Sequence, residues 1–211
     1  MKNLIRIIGG IILSLSACGF MLTMYAGNIF YGNNAEHKGQ FPYFLFFCVL
    51  MIAAVAVNII PSPFNFKTKP TRLRMIADGS DLLIAFLISS VITIAFHIYS
   101  AFTGILSSGL GIGFYVASVV VALLVLGVTF INAAIRTCAG SSQLGAGRKA
   151  AVMLTGGIPI VNFFTLISAI KSAKAEVNFE SNKQKLDLSR EKDEVCRTKY
   201  PILLVHGVFF R

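Results

Sequence analysis

Acidic side chains are scarce in this chain. Asp and Glu together number 9 against 19 Lys and Arg, and charged residues of both signs make up only 13% of 211 positions. A soluble domain covers its surface with roughly 25% charged residues, so an ordinary soluble fold is excluded. The four cysteines, Cys18, Cys48, Cys138 and Cys196, include no Cys-x-x-Cys pair, which argues against a disulfide framework and a zinc site. His37, His97 and His206 are scattered, which argues against a metal centre. The net charge of +10 lies between apolar runs without interleaved aromatics, a pattern that excludes nucleic acid as the partner and matches the basic loops of membrane proteins. Residues 137–149 are rich in glycine but do not match Gly-x-x-x-x-Gly-Lys-Ser/Thr, and no strand precedes them, so they read as a flexible basic loop.

What is present is apolar sequence. Hydrophobic residues make up 55% of the chain and the mean hydropathy is +0.75. Five runs stand out, at 4–26, 41–60, 82–100, 112–135 and 150–170, each close to the ~20 residues that cross a hydrocarbon core. Polar residues at 27–40, Pro61 and Pro63, and the glycine-rich stretch 101–111 separate them. Leu15-Ser16-Ala17-Cys18 resembles a lipoprotein cleavage box, but Gly19 to Tyr25 continue apolar, and the segment reads as an uncleaved span. The fifth run is interrupted by Gly156, Gly157 and Pro159 and carries Asn162. It fits either a kinked span or a re-entrant hairpin, because neighbouring helices can satisfy freed backbone groups.

With the N-terminus inside, the inner segments hold Lys2, Arg6, Lys67, Lys69, Arg72, Arg74, Arg136, Arg148 and Lys149, and the outer short loops hold only Lys38. Cytoplasmic loops collect Lys and Arg in this way. The expected fold is therefore an all-α membrane protein, a bundle of about five transmembrane helices over 1–170, multi-pass in the cell membrane with a cytoplasmic N-terminus. A charged linker or helix extension follows over 171–198, which a fifth crossing carries outside. Arg74, Asp78 and Asp81 are spaced by four and three, so they share one helical face and can pair. Such charges at a span end serve structure at modest cost. Arg74, Ala77 and Asp81 also resemble the opening of RDD-family membrane domains. His97 reads as a satisfied polar group near the far end of the third run.

The last segment is of another kind. Lys199-Tyr-Pro-Ile-Leu-Leu-Val-His-Gly-Val-Phe-Phe-Arg211 places a proline where a strand can begin and then an unbroken apolar run, 202–205, suited to a buried strand. Tyr200, Pro201, Ile202, Leu203, Leu204, Val205, His206 and Gly207 resemble the first core strand and oxyanion loop of bacterial triacylglycerol lipases, members of the α/β-hydrolases. The resemblance implies that 199–211 open an α/β-hydrolase domain, truncated here, with an isolated β-strand. His206 and Gly207 would form the oxyanion loop, and the backbone N–H of Val208 would be an oxyanion donor. Such a donor stabilises the tetrahedral intermediate of acyl transfer. No Gly-x-Ser-x-Gly elbow occurs; Ser107-Ser108-Gly109 and Gly140-Ser141-Ser142 do not fit it. The expectation is the membrane-anchoring part of a lipase or esterase, lacking nucleophile, acid and catalytic histidine. It has the lipid bilayer as its partner, an acyl-ester lipid as substrate of the longer protein, and no cofactor. The alternative is a small polytopic transporter or membrane assembly partner, RDD-like in this reading and without enzymatic activity, for which Asn162 and the break at Pro159 are the candidate mid-membrane polar features.

Overall fold

The computed structural model describes residues 2–31, 40–60, 70–102, 109–155 and 159–193. Every element among them is an α-helix: α1 (Lys2–Tyr31), α2 (Gln40–Ile59), α3 (Thr71–Phe102), α4 (Gly109–Gly140), α5 (Ala146–Thr155) and α6 (Pro159–Asp193). Proline sets several of the boundaries. Pro42 sits in the first turn of α2 and Pro159 is the first residue of α6, where a missing N–H costs nothing. Pro70 stands immediately before α3, and its carbonyl accepts the N–H of Arg74 to close the first turn. Pro61 and Pro63 follow α2 in the sequence, and a proline has no N–H to donate to a further helical turn.

The first four helices run alternately up and down. Ser16 Oγ donates to the Leu50 carbonyl at 2.7 Å and Phe20 packs on Phe47, so α2 descends beside α1. Arg6 meets Asp81 and Tyr25 meets Phe96, so α3 runs parallel to α1. On α3 and α4, Ile76 lies against Gly140, Phe86 against Phe130 and His97 against Ser118. Each step forward on one is a step back on the other.

Two glycines permit the tightest crossing. A Cβ on Gly79 would lie 2.5 Å from Thr137 Oγ1 and 2.8 Å from Thr137 N, and one on Gly140 would lie 2.7 Å from Ile76 Cγ1. Small residues allow such backbone approach between helices where solvent exclusion does not drive packing. Leu13, Ala17, Ala54, Ala85, Ala122 and Val125 form a small-residue core among α1–α4. A second, larger core gathers Leu73, Ile76, Leu83, Phe130, Leu144, Val152, Leu166 and Ile170 from α3, α4, α5 and α6.

The outward faces are apolar as well. Ile52 is 70% exposed, Leu123 66% and Phe102 86%. Contiguous exposed apolar surface on this scale marks an interaction surface. Three helices are long and apolar enough to cross a membrane, over Arg6–Thr23, Thr71–Phe102 and Ile112–Gly140, and α2 contributes a shorter apolar stretch, Phe44–Ile59. These helices fit a membrane protein. An apolar outer face suits a hydrocarbon solvent, and small inner residues suit closely packed helices.

The structure departs from the sequence expectation in extent and at the fifth run. α1 continues to Tyr31, α3 begins at Thr71, and the stretch expected as a flexible loop at 137–149 is the end of α4, a five-residue turn and the start of α5. The run 150–170 is divided between α5 and α6 rather than forming one long helix, and neither is among the helices apolar and long enough to cross. The linker expected over 171–198 is helical as far as Asp193. The strand expected at 202–205 lies outside the described residues.

Candidate functional site: the polar junction at the basic end

One end of the bundle carries the charges, and three networks tie its helices together. The densest centres on Glu176, on α6. Its side chain is fully buried. Arg72 of α3 donates from Nη2 to Oε1 at 2.5 Å. The Ser142 and Gln143 N–H groups donate to Oε1 and Oε2 at 3.0 and 3.2 Å, the Ser142 hydroxyl donates to Oε1 at 3.0 Å, and the Ser141 hydroxyl donates to Oε2. Arg72 Nε also donates to the Gly140 carbonyl at 2.8 Å, and the Ser141 hydroxyl accepts the Leu144 N–H at 3.1 Å.

The local sequence explains the arrangement. Gly140 ends α4, leaving its last carbonyls without intrahelical partners. Two serines and two free N–H groups follow in the turn, and a single carboxylate satisfies them. Burial is the largest influence on the Glu176 carboxyl and raises its pKa. Hydrogen bonds from Ser141, from the Ser142 and Gln143 N–H groups and from the Ser142 hydroxyl act the other way and together prevail, holding it below the ordinary value of 4.5. Five donors fill the roughly four lone-pair positions of a carboxylate. The group is therefore a clamp, with no lone pair left for proton abstraction.

The second network joins α1, α3 and α6. Arg6 Nε pairs with Asp81 Oδ1 at 2.6 Å, both side chains being mostly buried. Lys174 lies close enough to feel both. Its pKa is lowered first by burial and then by Arg6, and Asp81 opposes this. The sequence placed Arg74, Asp78 and Asp81 on one face of α3. Asp81 does lie at this end, but its ion-pair partner is Arg6 of another helix. Asp78 is buried on the same helix.

The third network closes α2 onto α4. Asn132 Nδ2 and Arg136 Nη2 donate to the Asn58 carbonyl at 2.8 and 2.9 Å, Arg136 Nε donates to Asn132 Oδ1 at 3.0 Å, and Asn58 Nδ2 donates to Thr129 Oγ1 at 3.0 Å. A cation at the C-terminus of α2 also faces the negative end of its dipole.

The opposite end is aromatic, with Tyr25, Phe96, His97 and Tyr115 in ring contact. His97 Nδ1 is 2.9 Å from the Thr93 carbonyl and Nε2 is 3.2 Å from Ser118 Oγ, while Tyr115 donates to the His97 carbonyl at 3.3 Å. His97 is thus a buried, satisfied polar group, in line with its sequence reading. Ser89 and Thr93 continue this buried polar stripe along α3 towards the middle of the bundle.

Of the residues expected to carry chemistry, His206, Gly207 and Val208 lie outside the described residues, as does the side chain of Asn162. Sequence reasoning did not single out Glu176, Ser141 or Asn58. The available signal was that residues 146–175 contain no acid, so Glu176 is the first carboxylate after a long acid-free stretch. Among the described residues no group of three His, Cys, Asp or Glu is arranged to hold a metal.

Fold and junction together define the class: a protein helical throughout its described elements, with a membrane-type exterior and a polar clamp at one end. Comparison with protein-family models, curated proteins and solved structures finds no match for this chain.

Proposed function

We propose that this chain is a multi-pass membrane anchor that holds the polypeptide following α6 at the bilayer, and that this following segment opens a lipase- or esterase-type hydrolase domain. The observation that carries the anchoring half is the Glu176 clamp. It binds α6 to α3 and to the α4–α5 turn, and α6 then runs on as a polar helix to Asp193, towards the segment at 199–207. The hydrolase half rests on the resemblance of Tyr200–Gly207 to the first strand and oxyanion loop of triacylglycerol lipases. An anchor of this kind keeps the catalytic domain beside its acyl-ester substrates.

The basic end, with Arg6, Arg72 and Arg136, faces the cytoplasm in this reading, as the distribution of Lys and Arg requires. Because the chain leaves α4 at Ser141 and is back beside it at Glu176, α5 and α6 double back instead of adding a crossing. The segment after Asp193 then emerges on the cytoplasmic side. A fifth crossing would have carried it outside.

The hydrolase half is tested with the polypeptide encoded by the natural gene, assayed on short-chain p-nitrophenyl esters in native membranes. Hydrolysis is expected. Val208→Pro, which deletes the donor N–H, should lower turnover by ~10²–10³, the usual loss for one oxyanion donor. Undiminished hydrolysis by the proline variant would remove the oxyanion role from Val208, and an inactive parent would remove the hydrolase reading altogether.

A further inference from the structure

The α5–α6 hairpin has an apolar tip and a basic base. Its register is fixed by two sets of contacts. Glu176 is bonded to Ser141, Ser142 and Gln143, and Arg148 Nη1 donates to Ser172 Oγ at 3.0 Å. The two helices are therefore antiparallel, and Met153, Leu154, Phe163 and Phe164 lie towards the far end. All four are exposed, Leu154 at 82% and Phe164 at 73%. The base carries Arg148, Lys149, Lys171 and Lys174. Arg148 and Lys171 are exposed and Lys149 partly so. No acid lies between 146 and 175, and Glu176 is already saturated by its clamp.

The hairpin also has a direction. Glu176 meets Arg72 near the start of α3. Lys174, earlier on α6, feels Asp81, further along α3. Leu166, Ala169 and Ile170 share a core with Leu82, Leu83 and Phe130. α6 thus runs antiparallel to α3, and its apolar half points along the same axis as the apolar length of α3. The tip lies beside the bundle at the depth of its apolar surface, and the cations lie at the level where the spans become polar.

We propose that this hairpin is a binding site for anionic phospholipid, with Leu154, Phe163 and Phe164 among the acyl chains and Arg148, Lys149 and Lys171 holding the headgroup phosphate. The inference rests on the membrane reading above but not on the hydrolase one. Charge selects the class of lipid. Clustered Lys and Arg at the cytoplasmic end of spans recruit anionic headgroups, and a site without a carboxylate offers nothing to the ammonium of a zwitterionic one.

The test uses the full chain in detergent, titrated with phosphatidylglycerol or phosphatidylcholine of matched acyl chains. Bound lipid is read by native mass spectrometry and by the shift in melting temperature. Phosphatidylglycerol should be retained and should raise the melting temperature, and phosphatidylcholine should do neither. The triple variant Arg148→Ala/Lys149→Ala/Lys171→Ala should weaken phosphatidylglycerol binding on the order of 100-fold, from about fivefold per surface cation. Lys183→Ala/Lys185→Ala, on the polar arm of α6, should bind as the parent does. The headgroup comparison needs no mutation, so a poorly folding triple variant does not blunt it. Equal binding of both lipids overturns the proposal, as does loss of selectivity in the Lys183/Lys185 variant instead of the triple variant. An equal melting shift from inorganic phosphate alone would assign the site to a free anion and overturns it too. Resistance to alkaline carbonate extraction is measured alongside. Loss of that resistance fails the membrane reading itself, whereas a resistant protein without headgroup selectivity fails only this inference.

Discussion

Glu176 joins three elements through one carboxylate, so its removal exposes several donors at once. Leaving a buried donor unsatisfied costs about 1–3 kcal/mol, and Arg72, half exposed, can turn to water when its partner is removed. Glu176→Ala is expected to lose stability of that order, and Glu176→Gln somewhat less because one acceptor oxygen remains. Thermal unfolding in detergent, followed by a thiol-reactive dye as buried Cys18 and Cys138 become accessible, measures both. The clamp also dictates a pH dependence. The folded pKa of Glu176 lies below its ordinary value of 4.5, so the folded state binds fewer protons than the unfolded one near that value. The stabilisation is complete above the ordinary pKa and is lost as pH falls through the depressed folded pKa. The parent should lose stability below about pH 4.5, the ordinary value, and Glu176→Gln should show a shallower loss over the same range. A parallel decline in the two proteins would show that the carboxylate does not contribute as described. The sequence set Glu176 apart as the first carboxylate after an acid-free stretch, but its partners were not legible there. Ser141, Arg72 and Glu176 are brought together by tertiary packing across separations that no periodicity encodes, and Glu176 sat in a stretch whose charge pattern resembles a solvated linker.

At the scale of elements, hydrophobic runs located the helices and polar residues hid their ends. α3 was legible from Leu82 onward because its apolar length is continuous. Its first turns carry Arg72, Arg74, Asp78 and Asp81; the helix starts just after Pro70, and Asp81 and Arg72 find partners on α1 and α6. The run 150–170 is interrupted in the sequence by Gly156, Gly157 and Pro159, and contacts at Ser172 and Glu176 set α6 back against α5 and the turn before it. The re-entrant alternative was present in the sequence as those three residues, but sequence could not weigh it against a kinked span. The α3–α4 contact yields a prediction with an internal control. Gly79→Ala places a Cβ within 3 Å of the Thr137 backbone, and overpacking of this kind costs about 1–3 kcal/mol. Gly127, on the same α4 helix, has nothing within 4 Å of the corresponding position, so Gly127→Ala should be neutral or stabilising by up to ~1 kcal/mol through helix propensity. The two melting temperatures in the same detergent check this. Equal shifts would mean that the close approach at Gly79 does not constrain the pair of helices.

For the whole molecule, the distribution of charge is the property that composition, fold and function share. Low charge and apolar runs in the sequence appear in the structure as an apolar exterior, and among the described residues Arg6, Arg72, Asp81, Arg136 and Glu176 gather at one end in three interhelical networks. That end was legible in advance, since Arg6, Arg72 and Arg136 were assigned to a common side from loop charges alone, and contacts such as Arg6–Asp81 and Arg136–Asn58 place them at the ends of neighbouring helices as that assignment requires. The destination of α6 was not, because it depends on whether the fifth run crosses or returns. The proposed arrangement is a membrane-spanning bundle with its basic end in the cytoplasm. The most direct measurement is labelling of single cysteines, in an otherwise cysteine-free chain, by a membrane-impermeant maleimide applied to intact cells. Ser107→Cys, in the connection between α3 and α4, should label from outside, and Gln143→Cys, in the turn that clamps Glu176, should label only after the membrane is permeabilised. Labelling of Gln143→Cys in intact cells together with protection of Ser107→Cys would contradict the orientation, and labelling of both before permeabilisation would contradict the span between them.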